Sequence, residues 1–340
     1  MSANNIAGST KRIADRATYS ATLLAEILEN HPVRERNYVL PTSSLDRTYA
    51  VIRERVWARR TGVFFYGSPR LGKTTCAEEV QLRLKDEFPK IHVILLSARR
   101  PPRGSETHMY KLLLEAMKHR LASRNDTYAL FSNVISEIMM GVGKRAGTHF
   151  VLIIDEIQLL SDNDLELLLV IHNALALARV KMTTISFAQP EIFQKIAALV
   201  TKQQTQILAR FLAEPCSFEG CANKGALKVL LEGYDDKSEY PEDTGWSYTR
   251  FFLPLAYENG FRLSKFTGPI WDEIITATSL HTGETLPMEH VCLIIEDLLL
   301  NMRRDDCENF TLSTEEIKTY VEASGIANFV SQMRSSSDGE

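Results

Sequence analysis

Residues 62–75 read GVFFYGSPRLGKTT, and this stretch decides the fold. Its first five residues have the apolar character of a short buried strand, and the residues from Lys73 onward have the pattern of a helix. The segment between them fits GxxxxGK[ST], whose backbone N–H groups turn inward toward phosphate oxygens in front of a positive helix end. We therefore predict an ATP-binding loop in which Lys73 reaches the β- and γ-phosphates and Thr74 coordinates Mg²⁺. The predicted nucleotide-binding residues of this segment are Gly67, Ser68, Pro69, Arg70, Leu71, Gly72, Lys73, Thr74 and Thr75.

A second motif, FVLIIDE at residues 150–156, follows later in the chain. Its apolar residues predict a buried strand that ends in two carboxylates. Asp155 is predicted to hold the Mg²⁺ shell together with Thr74, and Glu156 to orient and deprotonate an attacking water. Adjacent carboxylates after a strand are also common as simple helix caps. Their position after the phosphate-binding motif favours the catalytic interpretation.

Three further residues are candidates for phosphoryl transfer. Gln189 follows the predicted strand 183–187 and is placed to contact the γ-phosphate or the water, although Gln-Pro is also an ordinary helix entry. Arg210 ends a predicted helix, where a solvated arginine is favoured by the helix dipole. Arg262 follows Gly260 in the C-terminal region and is predicted to close on the nucleotide, with Lys265 as its competitor.

Strands and helices alternate through the middle of the chain, which is typical of a parallel sheet covered by helices. We predict an α/β fold, with a P-loop core and a smaller C-terminal helical lid. The stretch 233–247, GYDDKSEYPEDTGWS, is predicted to be an acidic surface loop, and Ser313 with Glu316 predicts the start of a last helix running to about Met333. The predicted partition is an N-terminal extension at 1–34, a core at 35–220, a lid and C-terminal region at 221–334, and a disordered tail at 335–340.

The composition excludes several classes of protein. With 44% hydrophobic and 24% charged residues in 340, the chain is neither disordered nor fibrous. A net charge of -4 argues against a protein that coats nucleic acid by bulk charge. The five cysteines form no CxxC pair, which favours reduced thiols over a zinc site. The N-terminus lacks a signal-peptide core and no apolar run approaches ~18 residues, so we expect a cytoplasmic protein without a membrane partner.

The motifs GSPRLGKTT, FVLIIDEIQLL, a polar residue after the next strand, and LARF before another strand together resemble the AAA+ family. Within it, the compact size and the DEIQLL form of the acidic motif resemble the transposition regulators, the TnsC and TniB proteins and their MuB relatives. The resemblance implies ATP and Mg²⁺ as cofactors and self-assembly into rings or filaments on double-stranded DNA, with about six or seven subunits per turn. It also implies partners that select the target and a transposase. Arg210 is then expected to reach the γ-phosphate bound by a neighbouring subunit.

A DNA-contacting surface is expected where basic residues concentrate between residues 99 and 145. Phosphate contacts from such residues position a protein without reading sequence, although a solvated helix face is the alternative. Two other functions stay open, namely an interaction ATPase that does not act on DNA and an origin-loading initiator, for which no winged-helix domain is evident after residue 300. The predicted DNA-contacting residues are Arg99, Arg100, Arg103, Lys118, Arg120, Lys144 and Arg145.

Overall fold

The computed structural model describes residues 19–102, 105–119, 126–281 and 283–337. Its contacts divide the chain into two compact units. The sheet unit comprises Ser44–Glu219, and the helical unit combines the chain up to Ser43 with the chain from Gly220 onward. Five cysteines are present as unbridged thiols. Within the described ranges, no helix combines the length and the apolar character needed to cross a bilayer.

The sheet unit is built on five parallel strands, β1 (Gly62–Tyr66), β2 (Ile91–Ser97), β3 (His149–Asp155), β4 (Lys181–Ala188) and β5 (Pro215–Ser217). Their order across the sheet is β2-β3-β4-β1-β5. The helices of this unit are α3 (Ser43–Trp57), α4 (Lys73–Glu87), α5 (His108–Ala116), α6 (Thr127–Gly143), α7 (Asp162–Leu177), α8 (Ile192–Thr201) and α9 (Thr205–Phe211). The predicted alternation of strands and helices is confirmed.

The central strands are apolar on both faces because helices cover both sides of the sheet. Every residue of β3 is buried, and alternate residues of the strand enter different cores. Phe150 and Leu152 belong to one core, and Val151 and Ile153 belong to the other. This arrangement brings the carboxyl ends of the strands to a single edge of the sheet, where the predicted site residues follow β1, β3 and β4.

The helical unit consists of nine helices among the residues that the structure describes. Ser313 and Glu316 form the predicted capping box. The predicted single last helix is instead two helices, because Gly325 interrupts it with a left-handed backbone at φ 69°. The helices are α1 (Ala21–Glu29), α2 (Pro32–Glu35), α10 (Lys224–Asp236), α11 (Tyr248–Phe252), α12 (Pro254–Glu258), α13 (Thr267–Thr278), α14 (Met288–Met302), α15 (Thr314–Ala323) and α16 (Ile326–Ser337).

The stretch 233–247 is predicted to be an acidic surface loop, and for its first part that prediction is wrong. Helix α10 continues through it to Asp236, and the side chains of Tyr234 and Asp235 are fully buried. Asp235 is buried because its carboxylate accepts hydrogen bonds from the backbone N–H groups of Leu263 (3.0 Å) and Ser264 (2.9 Å) and from a threonine hydroxyl. This carboxylate therefore holds the start of the short 3-10 helix Leu263–Phe266 and is not a solvated charge.

The segment before the sheet unit packs within the helical unit. Leu40 contacts Gly233, where a Cβ atom added to the glycine would lie 3.3 Å from the leucine side chain. The Tyr38 hydroxyl donates to the buried carboxylate of Glu296 at 2.5 Å. These contacts explain why the sheet unit begins at Ser44, nine residues after the start predicted for the core, residue 35.

Candidate nucleotide-binding site

The phosphate-binding motif forms a loop between β1 and α4, as its sequence predicts. Arg70 and Gly72 have left-handed backbones, with φ of 61° and 95°. Alternation of left- and right-handed residues turns successive N–H groups toward one concave side, which is the geometry of anion-binding loops. The buried Lys73 ammonium donates to the carbonyls of Gly67 and Ser68, both at 2.7 Å. The backbone of the phosphate-binding loop thus surrounds the Lys73 ammonium.

The acidic motif meets this loop at the carboxyl edge of the sheet. The Thr74 hydroxyl donates to Asp155 Oδ2 at 2.7 Å, which joins the start of α4 to the end of β3. The other carboxylate oxygen, Oδ1, is buried and has no hydrogen-bond partner among the described residues. Burial raises the pKa of Asp155, and the hydrogen bond from Thr74 and the charge of Lys73 act against this shift. Burial likewise lowers the pKa of Lys73, although nearby carboxylates oppose the change.

The donor set fits a magnesium nucleotide. A buried carboxylate oxygen without a partner, a neighbouring hydroxyl and a lysine at a helix N-terminus are the groups that such a ligand requires. When bound, Mg²⁺ would neutralise charge on the phosphate oxygens. Thr74 and Asp155 are placed to hold it, and Lys73 is placed to hold the phosphates.

The carboxylate of Glu156 is held by two side-chain amides. Gln189 Nε2 donates to Glu156 Oε2 at 2.9 Å, and Gln158 Nε2 donates to the same oxygen. The side-chain amide oxygen of Gln158, Oε1, also accepts a hydrogen bond from the backbone N–H of Gln189 at 3.1 Å. Glu156 itself has a left-handed backbone at φ 59°, a strained conformation that is typical of functional sites. The two amides fix one carboxylate oxygen and leave the other, Oε1, available to a water molecule.

Gln158 is the site residue that the sequence analysis missed. It stands two positions after Glu156 in the segment DEIQLL, so a polar side chain within an otherwise apolar segment was the available signal. Its role depends on contact with Gln189, thirty-one positions later. Only the pairing of β3 with β4 brings the two residues together.

Arg210 does not approach the phosphate-binding loop of its own chain. A Cβ atom added to Gly62, the first residue of β1, would lie 2.4 Å from the Arg210 carbonyl oxygen, whereas the loop follows the last residue of β1. The first and last residues of this five-residue strand lie about 13 Å apart. Arg210 therefore lies at the opposite edge of the sheet, where its charge helps to lower the pKa of His172 after burial, the main cause. Action on a neighbour's nucleotide stays a prediction.

Arg262 belongs to the helical unit and is engaged there. Its guanidinium lies 3.4 Å from the centroid of the Tyr257 ring and donates to the carbonyls of Tyr257 (2.9 Å) and Phe261 (2.6 Å). An Asp236 carboxylate lies 3.9 Å away. The competing Lys265 donates to the Gly260 carbonyl at 2.6 Å. Contact of either residue with nucleotide stays a prediction.

The basic residues predicted to form one DNA-contacting surface are divided by the sheet. Arg99 and Arg100 follow the carboxyl end of β2, whereas Lys144 and Arg145 precede the amino end of β3. The two strands are parallel and paired over seven residues, so the strand ends that these pairs flank lie about 20 Å apart. The predicted surface is therefore not continuous.

The structure gives further information on some of the individual residues predicted to contact DNA. Arg99 forms an ion pair with Glu115 at 2.5 Å, so part of its charge is already compensated. Lys118 is exposed just beyond the end of α5. Arg103 and Arg120 lie outside the described residues. Contact of each residue with DNA stays a prediction.

Comparison with known proteins agrees with this architecture. Residues 58–196 match the model of the AAA domain family AAA_22. No curated protein matches the sequence. The Aeropyrum pernix ORC2 protein, solved as ADPNP-ADP complexes, superposes with a TM-score of 0.54 at 13% identity, over 86% of this chain and 71% of that one. The Aeropyrum pernix ORC1 protein in complex with DNA gives 0.51 at 12% identity, over 87% of this chain and 68% of that one. The fold is that of an AAA+ P-loop ATPase, with a C-terminal helical region.

Proposed function

We propose that this chain binds ATP with Mg²⁺, hydrolyses it, and assembles with copies of itself on duplex DNA as a regulator of transposition. The observation that carries the catalytic part is the 2.7 Å hydrogen bond between Thr74 and Asp155. It joins the phosphate-binding motif to the acidic motif at one edge of the sheet, as phosphoryl transfer requires. The DNA partner and the role in transposition rest on the resemblance of the motifs to those of TnsC and TniB proteins.

Each site residue has a distinct task in this proposal. Lys73 leaves the two loop carbonyls and pairs with the phosphates, because a charged phosphate is the stronger acceptor. Thr74 and Asp155 hold the magnesium shell. Glu156, held by Gln158 and Gln189, accepts the proton of the attacking water through its second oxygen. ATP stabilises the assembly on DNA, and hydrolysis of the ATP disassembles or trims it.

Assembly is tested by electron microscopy and sedimentation, with and without duplex DNA and a slowly hydrolysed ATP analogue. The proposal expects large assemblies when both are present. Assemblies that need the analogue but are unaffected by DNA favour an interaction ATPase that does not act on DNA. If the protein stays monomeric under all four conditions, self-assembly is excluded. If it assembles on DNA but does not alter the activity of its cognate transposase, the role in transposition is excluded.

The contribution of Arg210 to a neighbour is tested by mixing two inactive variants. Arg210→Ala retains an intact site but supplies no arginine, whereas Glu156→Gln supplies the arginine but retains no base. In a random equimolar assembly, about a quarter of the interfaces combine an intact Glu156 with an intact Arg210 from the next subunit. We therefore expect hydrolysis at about a quarter of the parental rate. A mixture no more active than its components would remove Arg210 from this role.

A further inference from the structure

A basic surface lies at the edge of the sheet where the strands begin, opposite the nucleotide-binding edge. The five helix-to-strand loops of the sheet unit contain six arginine or lysine residues and one acidic residue, and Lys181 at the start of β4 adds a seventh cation. The whole chain has a net charge of -4, so this excess is local. We call this surface the basic edge and define it by Arg59, Arg60, Lys90, Lys144, Arg145, Arg179 and Lys181.

The parallel register brings these loops together. Ile91, His149 and Lys181 are successive partners across β2, β3 and β4, so the loops before them are neighbours. A Cβ atom added to Gly147 would lie 1.9 Å from the Lys90 carbonyl oxygen, which shows how closely two of the loops pack. With adjacent strands about 4.8 Å apart, the basic edge spans about 15 Å across four strands.

Most of this charge is not compensated within the protein. Six of the seven cations have no ion pair with any residue that the structure describes, and Arg60 approaches Glu54 only at 3.8 Å. The single acidic residue of the loops, Glu214, is already paired with Arg55. All seven side chains are exposed except Arg145, which is half-buried.

The positive charge of the basic edge contributes to the pKa shifts of two neighbouring histidines. Burial is the main reason that the pKa values of His92 and His149 fall to about 4. The smaller causes are all nearby cations, with Arg145 and Lys144 among those acting on His92, and Arg59 acting on His149. These cations add to the effect of burial in the same direction, as a positive local potential does.

An exposed aromatic residue completes the surface. Trp57 ends α3, immediately before the loop that carries Arg59 and Arg60, and 76% of its surface is accessible. Tryptophan is highly buried on average in folded proteins, so the Trp57 ring is unusually accessible to a ligand. Proteins that bind single-stranded nucleic acid without sequence preference combine two features. Cations contact the phosphate backbone, and aromatic rings stack on the bases.

We propose that the basic edge binds the phosphodiester backbone of DNA, with Trp57 stacking on a base wherever the bound DNA is unpaired. This inference rests on the proposed function in that DNA is the partner. About 15 Å of duplex carries about nine phosphates, enough for several contacts with seven cations. Because the basic edge is separated from the phosphate-binding loop by the length of the strands, nucleic acid and ATP can be bound at the same time.

The test compares two variants that remove the same number of charges. The basic-edge variant is Arg59→Ala/Lys144→Ala/Arg179→Ala/Lys181→Ala. Its control, on the surface of the helical unit, is Lys237→Ala/Arg303→Ala/Arg304→Ala/Lys318→Ala. Binding of a fluorescent duplex and of the corresponding single strand is measured over a range of salt concentrations. Thermal melting and binding of a fluorescent ATP analogue show whether each variant is folded.

We expect the basic-edge variant to bind duplex at least tenfold more weakly than the control. Its slope of log affinity against log salt should be about 3.6 smaller, because each of the four substitutions removes a phosphate contact that accounts for about 0.9 of the slope. Trp57→Ala should weaken single-strand binding about fivefold or more and affect duplex binding less.

Equal affinities and slopes for the two fourfold variants would overturn the inference and leave ATP-driven assembly untouched. Binding by the parent to anionic lipid vesicles, but to neither nucleic acid, would overturn it in favour of a membrane surface. Conversely, a parent that binds DNA through the basic edge but binds no ATP would refute the proposed function and support this inference.

Discussion

Replacing Gln158 with alanine removes one of the two amide groups that hold the Glu156 carboxylate. It also removes the oxygen that accepts the backbone N–H of Gln189. The remaining amide, that of Gln189, holds Glu156 through a single bond. The carboxylate can then rotate away from the position in which it accepts a proton from water.

The magnitude follows from these contacts. A hydrogen bond to a charged group contributes about 1.5–3 kcal/mol. If that contribution is realised in the transition state, and each 1.4 kcal/mol corresponds to about tenfold in rate, kcat falls about 10- to 100-fold. The side-chain hydrogen bonds of Gln158 join it to Glu156 and Gln189, and none joins it to a described residue that encloses Lys73. We therefore expect KM for ATP to change by less than about threefold.

Steady-state ATP hydrolysis gives kcat and KM, and thermal melting reports the stability of the folded chain. Gln204→Ala is the matched control, because its amide donates to the Glu166 carboxylate at 2.7 Å and neither residue belongs to the candidate site. The control should hydrolyse ATP at the parental rate. A kcat for Gln158→Ala within twofold of the parent would refute the positioning role, and so would an effect confined to KM.

Three further predictions concern stability. Gly67→Ala places a Cβ atom 2.5 Å from the Phe218 carbonyl oxygen, so the free energy of unfolding should fall by about 1–3 kcal/mol in urea titrations, and an unchanged midpoint would contradict this packing. Asp235→Ala leaves three donors without an acceptor and should cost about 2–4 kcal/mol by the same measurement, whereas parental stability would show that its burial is incidental. The hydrogen bond from Arg334 lowers the pKa of Glu284 to about 2 from 4.5, so their pairing stabilises the fold above pH 4.5 and is lost as pH falls toward 2. The difference in unfolding free energy between the parent and Arg334→Ala should therefore shrink between pH 6 and pH 3, only slightly because both groups are partly exposed, and a constant difference would refute the linkage.

Local features of the chain were predictable because their causes act over a few residues. The apolar run before Gly67 and the helix after Lys73 depend on neighbouring side chains, so β1 and the start of α4 agree with the prediction residue for residue. The same is true of the capping box at Ser313. The loop's left-handed backbone at Gly72 follows from the freedom of glycine at one position.

Features that combine distant segments were not predictable in this way. The burial of Asp235 depends on N–H groups near residue 264, so an acidic run with turn residues was mistaken for a surface loop. The seven basic residues predicted to form one DNA-contacting surface are close in sequence, yet the length of a strand separates Arg99 and Arg100 from Lys144 and Arg145.

The sequence alone determined that a phosphate-binding loop and an acidic strand end occur in an α/β fold, because periodicity and motif spacing are local properties. Only the tertiary structure decided that Gln158 and Gln189 share the Glu156 carboxylate, and that seven cations at the starts of four strands form one edge. Both depend on the order of parallel strands across the sheet. That order results from the packing of the whole unit, and no single segment contains it.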